Sequence, residues 1–236
     1  YGLNAVQAVF ARRPQAIRKL YLLEARIPQL QSLLQWCVAH RVGYRVVEED
    51  DLRKLAASSH HEGVVAEVLR EEPDLLGPWL RDLLAGPQCA LWLDGVGNPH
   101  NLGAILRSAA HFGVGALLLP RDSTLALSGA AARVAEGGAE AVPLVRLGNA
   151  VNAIAQLRGA GFTLAATIVH GGDDLFAAAL PERLVYVLGA EGEGMDAALA
   201  EACDLRLSIP GTGAVESLNV AAATAVLLAA WARKHS

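Results

Sequence analysis

The side chains in this sequence that could do chemistry gather in four short stretches rich in glycine or small polar residues: Asp94–Asn101, Thr167–Gly172, Gly189–Gly194 and Pro210–Asn219. In the last, the turn cluster Pro210-Gly211-Thr212-Gly213 lets backbone approach a ligand, and Glu216, Ser217 and Asn219 follow at a helix start. Free amides there favour anions and hydrogen-bond acceptors. From Leu218 to Trp231 the only polar side chains are Asn219 and Thr224, which predicts a helix buried on every side. The run is too short and alanine-rich for a membrane span of about 20 apolar residues. In the first stretch Asn98 is placed to cap a helix with Pro99 at its first position, and Gly113 supplies the stop. Leu102, Ile105, Leu106 and Ala109 form its buried stripe, while His100, Arg107 and His111 share another face. A cation between two imidazoles suits a phosphate or a sugar hydroxyl; a surface salt bridge by Arg107 is the plainer alternative.

Several chemistries are disfavoured. Gly95-Val96-Gly97 begins a dinucleotide fingerprint, but Asn98-Pro99-His100 replaces its continuation, and no phosphate-binding Gly-Lys-Ser/Thr occurs. The nucleophile-elbow pattern is absent, and His60-His61-Glu62 lacks zinc-site spacing and reads as a polar turn. Cys37, Cys89 and Cys203 are odd in number and far apart, against a disulfide framework or a zinc cluster, so a reducing, cytoplasmic setting fits.

The elements that must position these loops alternate strand and helix from Cys89 onward. Strands are expected at Ala90–Leu93, Ala116–Leu119, Val142–Val145, Phe162–Thr167, Arg183–Leu188 and Leu205–Ile209. Helices are expected at Leu102–Phe112, Ala126–Val134, Val151–Arg158 and Met195–Ala202, before the closing apolar one. Such alternation makes an α/β fold with a mostly parallel sheet, whose ligands sit at the carboxyl ends of strands, where all four stretches fall. A smaller α/β unit precedes it, with helices at Leu3–Ala11, Ile27–His40 and Glu49–Ala57 and strands at Leu20–Leu23, Tyr44–Val47 and Gly63–Val68. The composition shift after Val68 divides the chain into domains at 1–70 and 88–236, joined by a linker at 71–87 with a helix around Leu75–Leu84. At 236 residues, 53% hydrophobic and 5% aromatic, the chain is globular with an aliphatic core. A net charge of -4 gives no general nucleic-acid footprint. Up to residue 30, however, Arg12, Arg13, Arg18, Lys19 and Arg26 face Glu24 alone. No signal peptide or spanning helix is expected, and a chain opening at Tyr1 fits a piece of something longer.

Together the loops resemble a family that none would indicate alone. Asn98–Arg107, Leu188–Gly194, and Ile209-Pro210 leading to Ser217-Leu218-Asn219-Val220 are similar to the three ordered motifs of the SpoU (TrmH) methyltransferases, and Ala135–Pro143 to the glycine-alanine stretch between the first two. The likeness covers residues 89–236, and Tyr1–Val6 with His61–Val64 resembles the ends of the ribosomal-protein-like RNA-binding domain of longer members. The resemblance implies a trefoil-knotted domain that binds S-adenosylmethionine, dimerises and methylates ribose 2′-hydroxyls of tRNA or rRNA. It implies cofactor contacts at Gly189, Ile209 and Leu218, with Thr167 a further candidate, and a catalytic group of Asn101, Arg107, Glu191, Ser217 and Asn219. Family accounts make the arginine a general base, yet a guanidinium stays protonated up to about pH 12. Arg107 is therefore expected to bind phosphate and stabilise the forming alkoxide, helped by Asn101 and Ser217. Gly211 stands where methionine is usual, Ala190 where asparagine is common, and Glu136 where a small residue is usual. The first two loosen the loop beside the cofactor, so an RNA-binding protein that keeps the knot with weak or no methylation is the alternative.

Overall fold

The computed structural model describes residues 1–190 and 194–235. The front unit runs α1 (Leu3–Arg12), β1 (Ile17–Leu22), α2 (Gln31–Ala39), β2 (Gly43–Val46), α3 (Glu49–Ala56) and β3 (Val64–Val68). Its sheet has the order β2-β1-β3, with β2 parallel and β3 antiparallel to β1. The expected helix from Ile27 starts instead as a 3-10 turn at Pro28–Leu30, because proline donates no amide and suits a first turn.

The remaining elements are β4 (Asp74–Leu75), α4 (Leu76–Arg81), β5 (Gln88–Leu93), α5 (Pro99–His111), β6 (Ala116–Leu119), α6 (Gly129–Ala135), β7 (Leu144–Arg146) and α7 (Ala150–Gly159). They continue as β8 (Thr163–Thr167), β9 (Asp173–Asp174), β10 (Arg183–Leu188), α8 (Ala197–Ala202), β11 (Leu205–Ser208) and α9 (Val220–His235). Among the described residues eight strands form one parallel sheet in the order β4-β7-β6-β5-β10-β8-β11-β9. Side chains alternate across it. Leu91, Leu93, Leu117 and Tyr186 pack with α5 and α9, while Trp92, Leu118, Val185 and Val187 pack with α7 and Leu199 of α8. The sheet is thus covered on both faces, as parallel sheets require. Segment 71–87 is not a free tether: Asp74 and Leu75 pair with Val145 and Arg146, and Leu76 and Trp79 join the core.

One expectation is overturned. The closing helix begins at Val220 rather than Leu218 and buries only the side carrying Val220, Thr224, Leu227, Leu228 and Trp231. Ala222 and Ala229 on its other side are exposed. Alanine methyls are small enough to be left in water at little cost, so an apolar sequence there does not compel burial. Helix starts also shift from the pattern: Ser128 caps α6 by accepting from the Ala131 amide (3.1 Å), and Asp196 caps α8 through the Leu199 amide (2.9 Å). Among the described residues no helix is long and apolar enough to cross a membrane.

Candidate active site

The order of strands reverses between β5 and β10, and the loops leaving their carboxyl ends meet there, as at the ligand crevice of open parallel sheets. Gly189, immediately after β10, turns the chain sharply. A Cβ on it would lie 2.5 Å from both the Gly194 carbonyl carbon and the Met195 nitrogen, so only glycine fits. The loop is closed by paired backbone bonds, Ala190 N–H to the Gly194 carbonyl (2.8 Å) and Gly194 N–H to the Ala190 carbonyl (3.0 Å). Gly95, with φ of 76°, brings the loop after β5 against the Ala190 methyl. Asp94 then accepts from the Asp196 amide (2.9 Å), linking the loops after β5 and β10.

Beside this junction lies a cavity of about 380 Å³. Thr167, Ile168 and Val169 form one wall and Gly189, Ala190 and Met195 another. Ile209, Glu216, Ser217 and Leu218 supply a third, and Val220, Ala223 and Leu227 of α9 a fourth. The expected cofactor contacts Thr167, Gly189, Ile209 and Leu218 therefore line one space. Its size and apolar walls with few polar groups suit a small organic ligand. Thr167 is partly engaged, its hydroxyl donating to the Val187 carbonyl (2.8 Å). Tyr186, whose burial pushes its phenol pKa up, donates to the Leu227 carbonyl (3.1 Å) and ties β10 to α9. Neither Asp94 nor Tyr186 carries a sequence signal that separates it from ordinary loop and core residues.

The catalytic candidates divide. Asn98 caps α5 by accepting from the His100 amide (2.9 Å), which starts the helix so that Asn101 in its first turn is buried while Pro99 and His100 stay exposed. The Asn219 side-chain amide donates to the Asn101 side-chain oxygen (3.1 Å), while its own oxygen caps α9 through the Ala221 and Ala222 amides (3.0 and 3.4 Å). Two motifs far apart in sequence are thereby joined at the starts of two helices. Ser217 lines the cavity, and so does Glu216, a carboxylate that motif comparison alone leaves unassigned. Arg107 lies farther along α5 with an exposed side chain and does not line the cavity. Glu191 lies outside the described residues.

Comparison with known proteins fits this geometry. Residues 88–229 match the model of the SpoU rRNA methylase family, and residues 1–73 that of the RNA 2′-O ribose methyltransferase substrate-binding domain. The chain is 42% identical over 236 residues to an Escherichia coli O157:H7 protein named "Uncharacterized tRNA/rRNA methyltransferase YfiF", covering all of this chain and 68% of that protein. It is 36% identical over 241 residues to the 23S rRNA (guanosine-2′-O-)-methyltransferase RlmB of Nitrosomonas europaea, covering all of this chain and 91% of that one. The crystal structure of an AdoMet-bound rRNA methyltransferase from Sinorhizobium meliloti superposes with a TM-score of 0.79 at 27% identity, over 99% of this chain and 85% of that one. The chain belongs to the SpoU methylase family.

Proposed function

We propose that this chain methylates ribose 2′-hydroxyls of tRNA or rRNA with S-adenosylmethionine as donor, at the cavity between β8, β10, β11 and α9. The observation that carries the reading is the convergence of Thr167, Gly189, Ile209 and Leu218 on that one cavity; Asn219, which does not itself line it, stands in sequence between the lining residues Leu218 and Val220 and is bonded to Asn101. Backbone groups of Gly189, Ile209 and Leu218 would hold the cofactor, which supplies an electrophilic methyl on its sulfonium. The paired amides of Asn101 and Asn219, with the Ser217 hydroxyl, orient the ribose; holding reactants in line supplies much of the rate in such displacements. None of these groups is a base at neutral pH, nor is the guanidinium of Arg107. Glu216 lines the cavity and has the chemistry to take the ribose proton. Because Arg107 projects from the exposed face of α5, its part is to hold a phosphate of the RNA rather than the reacting oxygen.

The substrate-binding domain takes the RNA. Arg13 and Arg26 of the basic opening are committed to partners within the chain and Lys19 lies over the Tyr21 ring (4.9 Å), so Arg12 and Arg18, with Arg41 and Arg45 at the adjoining strand β2, are the ones to meet phosphates. A trefoil knot through the 210–219 loop and a homodimer across the open face of α9 complete the reading, as does work in the cytoplasm. The test is transfer of labelled methyl groups to total tRNA and rRNA, followed by mapping of 2′-O-methyl positions. Calorimetric titration with S-adenosylmethionine accompanies it. No heat of binding and no labelled ribose would sink the enzyme reading and leave an RNA-binding protein.

A further inference from the structure

We propose that Arg13, Arg133, Glu62, Glu136 and Glu140 are positioning residues that clamp the substrate-binding domain at one angle to helix α5, and that this angle selects which ribose is presented. The inference rests on the methyltransferase reading for its substrate but on separate geometry. Arg133 of α6 donates to Glu62 of the front domain (2.6 Å) and to the His60 carbonyl (3.2 Å), and is also paired with Glu136. Glu136 in turn accepts from the Asn4 side chain of α1 (2.5 Å). Arg13 grips Glu140 through both its Nε and a terminal nitrogen (2.6 and 2.7 Å), and its other terminal nitrogen donates to the Leu69 carbonyl (2.8 Å). Forked, charge-assisted contacts of this kind fix direction as well as distance.

The plate beneath these contacts touches α5 directly. A Cβ on Gly137 would lie 3.1 Å from the Ala8 methyl of α1, and one on Gly138 would lie 2.7 Å from the Leu106 carbonyl oxygen and 3.1 Å from the Arg107 Cα. Residues 136–140 therefore have the front domain on one side and the backbone of Arg107 on the other. A second tether closes the exit from the domain. The Leu69 amide donates to the Ala16 carbonyl (2.9 Å), and by Asp74 the chain is already paired into the large sheet. Only residues 70–73 lie between the two anchored ends, which leaves no length for a swinging arm. Glu136, a departure from the family pattern, gains its purpose here: a small residue at that position would offer nothing to Asn4 or Arg133.

The test uses the full chain with one spin label on each domain, and the variants Arg13→Glu, Glu140→Arg, their double swap, and Arg133→Met. The expected result is a narrow distance distribution for the wild type, broadened in each single variant and in Arg133→Met, and restored in the swap. The KM for RNA should rise about tenfold with kcat and S-adenosylmethionine affinity unchanged, and methylation should spread to neighbouring riboses. Unchanged distances and KM in the single variants would overturn the clamp. Loss of cofactor binding alongside RNA binding, with no recovery in the swap, would overturn it too by reducing these residues to a folding role. A wild type without RNA methylation would sink the functional reading instead, while the label distances, read without RNA, still decide the clamp.

Discussion

Replacing Gly189 with alanine tests the construction of the proposed cofactor cavity at its tightest point. The added methyl would sit 2.5 Å from two backbone atoms of residues 194 and 195, whereas ordinary contact begins at 3.4 Å. The obstacle is main chain rather than a side chain that can swing away, so the loop must retreat by about 0.9 Å, or β10 must distort. Either movement stretches the two hydrogen bonds between Ala190 and Gly194. At about 1 kcal/mol each, their loss removes about 2 kcal/mol from the closed form of the loop, a roughly 30-fold weaker Kd for S-adenosylmethionine. Overpacking adds about 1–3 kcal/mol to the fold itself, so Tm should drop by several degrees. Isothermal calorimetry and a thermal melt read the two parts separately. Gly211→Ala is the control, since nothing lies within 4 Å of its Cβ position. If Gly189→Ala bound the cofactor within about twofold of wild type and melted at the same temperature, the account of how this cavity is built would be wrong.

Gly211→Met, whose Cβ would meet nothing within 4 Å, should tighten cofactor binding about two- to fivefold by reducing the freedom of the unbound loop; weaker binding in calorimetry would count against that. Asn219→Ala removes both the cap of α9 and the donor to Asn101. It should lower stability by about 1 kcal/mol and kcat by roughly a hundredfold, whereas Asn219→Asp, which keeps the cap, should recover the melting temperature but not the rate. Tyr186→Phe leaves the Leu227 carbonyl without its phenol donor and should cost about 1–2 kcal/mol in denaturant unfolding with no change in RNA affinity. Hydrogen bonding from Asn4, then the bond and charge of Arg133 and the charge of Arg107, hold the Glu136 carboxyl below the usual 4.5. Its stabilising contribution is therefore full above that value and lost as pH falls through the lower folded one. Interdomain label distances should broaden on acidification in the wild type, and that part of the acid response should be missing in Glu136→Gln.

Much of the large domain is legible because each signal is local. The apolar runs of β5, β6 and β10 mark doubly covered strands, Asn98 and Pro99 mark a helix start, and Leu102, Ile105, Leu106 and Ala109 fall on the buried side of α5 as their spacing requires. The two-residue strands β4 and β9 are invisible for the converse reason. Asp74-Leu75 and Asp173-Asp174 have no apolar alternation, and only the neighbouring strand makes them strands. The alanines of α9 mislead because their sequence is equally compatible with a buried and an open face. At the site, residue type points to the loops but not to their partners. Nothing in Asn101 or Asn219 says that each meets the other across the domain, and nothing in Arg107 says that it stays outside the cavity.

Glycine marks close approach as well as turns, and this connects the cavity with the clamp. Gly103 sits inside α5, where a Cβ would lie 2.6 Å from the Ala131 carbonyl oxygen and 2.7 Å from the Val134 Cβ, so α5 and α6 press together at that point. Gly138 presses residues 136–140 onto α5 at Leu106 and Arg107. Asn101, on the same helix, is bonded to the cap of α9. Helix α5 therefore has its bond to Asn219, beside the proposed cofactor cavity, at its start and the anchorage of the front domain farther along. A side chain at residue 138 would press directly on the backbone of α5 at Leu106 and Arg107, apart from any movement of the front domain. That contact makes the identity of residue 138 as consequential for RNA methylation as that of any side chain in the cavity: Gly138→Ala should depress turnover on RNA even though its methyl lies outside the proposed cofactor site.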